Sequence, residues 1–164
     1  MISSVAEGIA VLPPEYRAEL VQSLSGMEAS AILSDLRFWA RKQQLPPDGD
    51  WAIWLVLAGR GWGKTITGAQ FVRSFGLKNP KSRIAIVAPT FAYARDNCVE
   101  GESGLLNILG KNELARLNRS IGEMELNNVT RYKLFRADKP DRLRGPQHHI
   151  AWCDELSSWR YLQD

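Results

Sequence analysis

The stretch Leu55-Val-Leu-Ala-Gly-Arg-Gly-Trp-Gly-Lys-Thr65 decides the fold of this 164-residue chain. A run of apolar residues leads into a glycine-rich loop, and the loop ends in Gly63-Lys64-Thr65. Glycines let backbone N–H groups turn inward on an anion, a lysine ammonium neutralises phosphate oxygens, and a threonine hydroxyl can coordinate Mg²⁺. The pattern therefore predicts a phosphate-binding loop that takes ATP and Mg²⁺.

The residues around this loop also suit the prediction. The strict motif has glycine where this chain has Ala58, which is still small, and Gly59 follows it. Ile53 to Leu57 is a short apolar run, which predicts a strand buried on both faces. Ile66 to Phe75 has apolar residues at helical spacing, so a helix with one buried face should follow. The residues predicted to contact ATP are Ala58, Gly59, Arg60, Gly61, Trp62, Gly63, Lys64 and Thr65.

A second apolar run, His149-Ile-Ala-Trp-Cys-Asp-Glu155, ends in adjacent carboxylates. In phosphate-loop ATPases an acid at the end of a strand holds Mg²⁺, so we predict that Asp154 shares the metal with Thr65. Glu155 is then placed to orient or deprotonate the attacking water. An Asp-Glu pair alone is weak evidence, because it is usually a solvated helix start. Together with Gly63-Lys64-Thr65 it becomes strong evidence.

Composition sets broad limits on the class of protein. The length suits one domain with a real core, and no apolar run approaches the ~20 residues of a membrane span. Cys98 and Cys153 form no metal-binding pair. Cys153 lies in the predicted buried strand and is expected to be a reduced core residue, which favours a cytoplasmic protein. Residues 51–164 hold 17 Lys/Arg against 11 Asp/Glu, while residues 1–50 hold 4 against 7. A basic second part is compatible with a polyanion such as DNA.

The chain divides by pattern into a helical leader, residues 1–50, and a phosphate-loop core, residues 51–164. Residues 15–44 predict two helices with a break at Ser25-Gly26, and residues 45–50 predict a loop. In the core, Arg83 to Ala88 predicts a strand, whereas residues 91–100 and 105–117 predict helices. Asn127-Asn128 between alternating segments predicts a β-hairpin inserted into the core.

Alternating strands and helices predict an α/β fold with a mostly parallel sheet between helices. The strand that ends in Asp154-Glu155 places the fold in the additional-strand, catalytic-glutamate (ASCE) class of P-loop NTPases. The sheet is expected to be incomplete at the C-terminus, because few residues follow Glu155.

With these motifs placed, the chain resembles the N-terminal part of the ATPase domain of the large terminase subunit of tailed phages, prophages and gene transfer agents. The resemblance runs from about Gln43 to the C-terminus. It is carried by Trp51 to Thr65, Val87-Ala-Pro-Thr90, Asp138 to Gln147, and Trp152-Cys-Asp-Glu-Leu156.

This resemblance implies an ATP-driven ring that packages double-stranded DNA, with the portal protein and the small terminase subunit as partners. It implies the bacterial host cytoplasm, and transiently the procapsid portal, as the location. The family also has a separate nuclease domain, which is not expected in this chain. The chain therefore looks like a fragment, and the resemblance implies Mg²⁺-dependent ATP hydrolysis for the full-length family.

Two arginines are candidates for the catalytic finger that stabilises transition-state charge. Arg60 would act within its own subunit, and an arginine inside the loop is typical of the family. Arg144 precedes Glu155 by eleven residues and could reach the ATP of a neighbouring subunit. The alternatives are a structural salt bridge for Arg60 and a solvated loop charge for Arg144.

Rival functions remain open at this point. Val87-Ala-Pro-Thr90 also resembles a segment of superfamily-2-like helicases or translocases that contacts DNA, although the box here continues Leu156-Ser157. A small-molecule kinase has little need of Asp154-Glu155. A nucleotide-binding fragment that does not hydrolyse ATP is the non-enzymatic alternative.

Overall fold

A computed structural model gives the fold of residues 4–110 and 112–161. The chain forms two compact units that divide between Leu57 and Ala58. None of the helices in the described part of the chain has the length and apolar character needed to span a membrane.

The first unit is helical, which confirms the helices predicted for residues 15–44, although they are shorter and more numerous than the sequence indicated. Pro14 opens one helix, where its missing N–H costs nothing. Ser25 and Glu28 form a capping box at another, with Glu28 Oε2 accepting from the Ser25 amide at 2.9 Å. The elements are α1 Val5–Ala10, α2 Pro14–Ser23, α3 Gly26–Ser34, α4 Leu36–Trp39 and a 3₁₀ helix, Lys42–Gln44.

The strand predicted from Ile53 to Leu57 is wrong for this structure, since residues 51–59 form no strand. Ile53, Leu55 and Leu57 are 84%, 60% and 85% exposed. A parallel strand forms only where a neighbour accepts and donates its backbone hydrogen bonds, and no described strand pairs with this segment. The apolar pattern of Ile53 to Leu57 was therefore not enough to form a strand, because no described strand pairs with it.

The second unit is an α/β structure built on a five-stranded sheet, which confirms the predicted α/β class. A mostly parallel sheet was predicted, but only two of the four pairings among the described strands are parallel, because the inserted hairpin adds antiparallel ones. The strand order is β2-β3-β4-β1-β5; β1 is parallel to β4 and β5, whereas β2, β3 and β4 are antiparallel. Its elements are α5 Lys64–Lys78, β1 Arg83–Ala88, α6 Phe91–Tyr93 continued by a π-helix Ala94–Val99, α7 Leu105–Ile108, β2 Leu114–Asn118, β3 Glu123–Leu126, β4 Arg131–Arg136, a 3₁₀ helix Pro140–Leu143, β5 Ile150–Cys153 and a 3₁₀ helix Leu156–Ser158.

The predicted hairpin is confirmed, with Glu123 opposite Lys133 and Glu125 opposite Arg131. The helix predicted over residues 105–117 is only partly right, because α7 ends at Ile108 and residues 114–118 pair with β3 as a third antiparallel strand. Residues 114–118 instead gain the backbone hydrogen bonds of an edge strand, with a register shift between Leu114 and Arg116.

Helix α5, the π-helix and α7 pack on one face of the sheet, which we call the inner face. Ile84, Ile86 and Tyr132 point into the main core there, against Val72 and Leu105 of the helices. The opposite, outer face carries a smaller apolar cluster of Ala85, Val87, Phe135 and Ala137, with Leu143 and Trp159 packed on it. Cys153 is exposed, so the prediction that it is a buried core residue is wrong.

Helix α5 approaches the sheet closely at two glycines. A Cβ on Gly68 would lie 2.2 Å from Trp152 Nε1, and one on Gly76 would lie 2.3 Å from the Tyr132 hydroxyl oxygen. The Tyr132 hydroxyl donates to Val72 O at 3.1 Å. The start of α5 is therefore held against β5 and its later turns against β4.

Candidate active site

The loop before α5 has the backbone conformation that its glycines predict. Gly61 and Gly63 have φ angles of 77° and 91°, a region that other residues enter only at a cost. Gly63 is the N-cap of a 15-residue helix and supplies no side-chain capping bond. The first amides of α5, together with the positive end of its dipole, thus form a place where an anion is stabilised.

The Lys64 ammonium folds back on the loop in this structure. Lys64 Nζ donates to Ala58 O and to Gly59 O, each at 3.1 Å. These two carbonyls hold the ammonium at the mouth of the loop. Any phosphate that binds there must compete with them for the same donor.

Asp154 lies at the carboxyl end of β5, where its amide donates to Val87 O at 2.9 Å. The residue is only 5% exposed. Burial raises the pKa of its carboxyl; the hydrogen bond from Cys98 and the charge of Lys64 act in the opposite direction, and the charge of Glu155 adds to the rise. The charge of Lys64 thus acts on the Asp154 carboxyl.

The packing of α5 explains why Lys64 and Asp154 lie at the same edge of the sheet. Gly68 contacts Trp152, and two turns later Gly76 contacts Tyr132, whose Cα partner in β1 is Ile84. Trp152 is paired with Ile86, farther along β1, so α5 runs antiparallel to the strands. Lys64 lies four residues before Gly68 in the helix, and Asp154 lies two residues after Trp152, which Gly68 contacts. Both stretches advance about 6–7 Å towards the same edge of the sheet.

Cys98 and Tyr93 also belong to this edge, and sequence reasoning missed both. The Cys98 thiol is fully buried and donates to Asp154 Oδ2 at 3.6 Å. Burial, followed by the charges of Asp154 and Glu155, raises the pKa of Tyr93 to about 12. Both residues follow the carboxyl end of β1. Pairing β1 in parallel with β5 would have placed them near Asp154, so this pairing was the signal that could have identified them.

Glu155 adopts a strained conformation, with φ 49° and ψ 48°. A non-glycine residue in the left-handed region costs on the order of 1–3 kcal/mol and is found most often at functional sites. The chain beyond it holds this conformation: the Trp159 indole donates to Asp154 O at 3.0 Å, and Ser158 N donates to Glu155 O at 2.9 Å. Glu155 stays half-buried beside Asp154.

The two candidate finger residues have different surroundings. Arg60 is exposed on the loop, and the described residues offer it no ion pair. Arg144 is 77% exposed and faces Asp141 at 3.5 Å. Within the described part of the chain, Arg144 makes no hydrogen bond or ion pair with Lys64, Asp154 or Glu155.

The residues at this edge fit Mg²⁺ bound together with a nucleotide. Among the described residues, no cluster of three His, Cys, Asp or Glu could hold a metal alone. Mg²⁺ usually binds through one or two carboxylates plus substrate phosphates and water. A buried carboxylate at Asp154 and a hydroxyl at Thr65, next to an uncapped helix end, are a donor set of that kind.

Two comparisons with known proteins found similar proteins. A family model described as "Terminase large subunit, T4likevirus-type, N-terminal" matches residues 55–164. Among solved structures, the chain is similar to the large terminase ATPase domain of Thermus phage P74-26, with a TM-score of 0.50 and 18% identity. That match covers 63% of this chain and 47% of the solved domain, so the chain spans about half of it. A comparison with curated proteins found no match.

Proposed function

Since this chain belongs to the T4-like family of large terminase subunits, in their N-terminal part, we propose that it is the nucleotide-binding part of an ATP-driven motor that packages double-stranded DNA into procapsids. The observation that carries the proposal is the convergence of Lys64 and Asp154 at one edge of the sheet. An ATPase of this type needs positioning and charge neutralisation rather than covalent catalysis.

Each residue has a role in the proposed reaction. The amides of Gly61 and Gly63 bind phosphate oxygens, and Lys64 neutralises those of the β and γ phosphates. Thr65 and Asp154 would hold Mg²⁺, which supplies charge neutralisation on the phosphates when it is bound. Glu155 accepts a proton from water or orients it. The remaining residues of the proposed ATP site are Ala58, Gly59, Arg60 and Trp62.

The proposed partners follow from the family. Double-stranded DNA, the portal protein, the small terminase subunit and further copies of the chain in a ring are the expected contacts. The proposed location is the cytoplasm of the bacterial host, with transient docking at the procapsid. Of the two arginines, Arg60 is the better-supported finger, because it lies on the phosphate loop itself.

A second candidate function is nucleotide binding without turnover. It is favoured by Lys64, whose ammonium is engaged by loop carbonyls, and by the segment Ile53 to Leu57, which forms no strand behind the loop. In that case the chain would bind Mg·ATP, and the rate of phosphate release would not exceed that of spontaneous hydrolysis.

The test measures Mg·ATP binding by calorimetry and phosphate release with and without duplex DNA. Lys64→Ala is compared with Lys78→Ala, which removes the same charge at the exposed far end of α5. Glu155→Gln is compared with Glu102→Gln, an exposed acid in a turn. The motor proposal predicts DNA-stimulated hydrolysis that falls at least ~10²-fold in Glu155→Gln while binding persists.

The outcomes separate the candidates. Binding lost only in Lys64→Ala, with no turnover in any protein, supports the non-hydrolysing candidate. Strand separation coupled to hydrolysis would favour a helicase of superfamily-2 type instead. If wild type and Lys64→Ala bind Mg·ATP equally, both nucleotide proposals fail.

A further inference from the structure

The outer face of the sheet carries a basic groove far from the candidate active site. Its volume is about 280 Å³. Arg83 and Arg131 are the first residues of β1 and β4, so the groove lies at the amino ends of these parallel strands, whereas Asp154 follows the carboxyl end of β5. The lining includes the basic and polar side chains of Arg83, Arg116, Arg131, Lys133, Gln147 and His148.

Four of the charged residues form one row across adjacent strands. Arg116 is paired in register with Glu125, Glu125 with Arg131, and Arg131 with Arg83. The row thus contains three guanidinium groups and one carboxylate. Like charges directly opposite each other on neighbouring strands are destabilising, so the Arg83–Arg131 pair is unfavourable, and Glu125 offsets only the Arg131 side of it.

The carboxylates of the groove are already engaged. Arg131 Nε lies 2.8 Å from Glu125 Oε2, and Lys133 Nζ lies 2.9 Å from Glu123 Oε1. Arg83 and Arg116 have no ion pair among the described residues, and both are exposed. The groove therefore keeps two positive charges without a partner.

The loop before β5 forms a wall of the groove. Its attachment is through the backbone of Arg83: His149 N donates to Arg83 O at 2.8 Å, and His149 Nδ1 accepts from Arg83 N at 3.0 Å. This holds Gln147 and His148 at the groove. Burial lowers the pKa of His148, and so do the charges of Arg83 and Lys133, which indicates a positive potential there.

We propose that this groove binds a phosphate group through Arg83 and Arg116. Guanidinium groups match phosphate oxygens in charge and in bidentate geometry, and a phosphate beside Arg83 would relieve its repulsion with Arg131. The volume admits a phosphate and part of the group attached to it. The source is either a backbone phosphate of DNA or a free phosphate, and the site is independent of ATP binding at Lys64.

The experiment uses the full chain and a double variant, Arg83→Gln with Arg116→Gln. The matched control is Arg17→Gln with Arg142→Gln, two exposed arginines outside the groove, so that the total charge is equal. Inorganic phosphate is tested by its effect on the melting temperature, in a Lys64→Ala background because the phosphate loop could also take phosphate. A short fluorescent duplex is tested by anisotropy over a range of salt concentrations.

If the proposal is right, phosphate raises the melting temperature of the control but not of the groove variant, and Arg83→Gln alone raises it in phosphate-free buffer. If the source is DNA, the slope of log affinity against log salt also falls by about 2 in the groove variant alone. A phosphate effect without a change in DNA binding assigns the groove to free phosphate. The proposal is overturned if the groove variant and the control respond alike to both ligands, or if neither ligand binds the chain.

Discussion

Gly68 lies so close to Trp152 that a Cβ in its place would stand 2.2 Å from the indole Nε1. This contact sets the distance between α5 and β5. Because Lys64 begins α5 and Asp154 follows β5, it also sets the spacing of the two charges proposed to share one Mg·ATP.

Gly68→Ala should therefore increase the distance between Lys64 and Asp154. Extra volume in a close-packed contact costs about 1–3 kcal/mol of unfolding free energy, and α5 must shift away from Trp152. We expect lower stability in urea denaturation together with at least a tenfold loss of Mg·ATP affinity by calorimetry.

Gly76→Ala is the control for that variant. Its added Cβ would meet the Tyr132 hydroxyl at 2.3 Å, three turns from Lys64, so it should lower stability while leaving Mg·ATP affinity nearly unchanged. Equal losses of affinity in the two variants would mean that the Gly68 contact does not set the site.

Cys98 should act as a positioning residue for Asp154. Its thiol donates to Oδ2 from a fully buried position, and partners that orient a metal-binding carboxylate are typically worth 10–100-fold in metal affinity. Cys98→Ala should raise the Mg²⁺ concentration needed for half-maximal ATP binding by about that factor. Cys98→Ser, which keeps a donor, should recover part of the loss.

Cys153→Ser at an exposed cysteine is the matched control, and it should bind Mg²⁺ like wild type. A Cys98→Ala protein with unchanged Mg²⁺ dependence would contradict the positioning role.

The Arg73–Glu113 pair should make the free energy of unfolding depend on pH. Arg73 Nε donates to Glu113 Oε2 at 2.8 Å, and the Arg73 side chain is 7% exposed. Burial alone would raise the pKa of Glu113, but hydrogen bonds from Arg73 and the Gly110 amide outweigh it, so the pKa lies below its ordinary 4.5. A carboxyl whose pKa is lower in the folded state stabilises the protein above pH 4.5, and that stability is lost as the pH falls through the folded value.

Glu113→Gln removes the negative charge that faces the buried Arg73 guanidinium and should lower the unfolding free energy by about 3 kcal/mol at pH 7. The difference from wild type should shrink below pH 4.5 in urea denaturation. Glu102→Gln, an exposed acid, should show neither effect. A Glu113→Gln deficit that is constant from pH 7 to pH 3 would contradict this account.

Arg60 and Arg144 can be separated by kinetics. If Arg60 is the finger, Arg60→Ala should lower the hydrolysis rate by ~10³-fold or more with a small change in ATP affinity. Arg144→Ala should change the rate little in the isolated chain, since Arg144 faces Asp141 and solvent. Phosphate release under saturating ATP checks both, and an equal or larger loss in Arg144→Ala would reverse the assignment.

The sequence predicted the parts of the site that depend on local chemistry. Gly63-Lys64-Thr65 and Asp154-Glu155 carry their chemistry in neighbouring residues, and the hairpin at Asn127-Asn128 follows from turn preference and alternation. Cys98 was not predicted as a site residue, because it is 56 residues from Asp154 in sequence and reaches it only when β1 and β5 pair. The strand predicted for Ile53 to Leu57 was wrong, although its apolar pattern suits a strand. A strand also needs a neighbouring strand, which a local pattern does not specify.

The central claim is that Lys64 and Asp154 grip a single Mg·ATP, and crystallography with Mn²⁺ and a non-hydrolysable ATP analogue tests it most directly. We predict an anomalous peak for Mn²⁺ between Thr65 and Asp154, with the phosphates on the amides of Gly61 to Lys64 and within reach of Lys64 Nζ. A nucleotide bound elsewhere, or a manganese peak away from Asp154, would contradict the account.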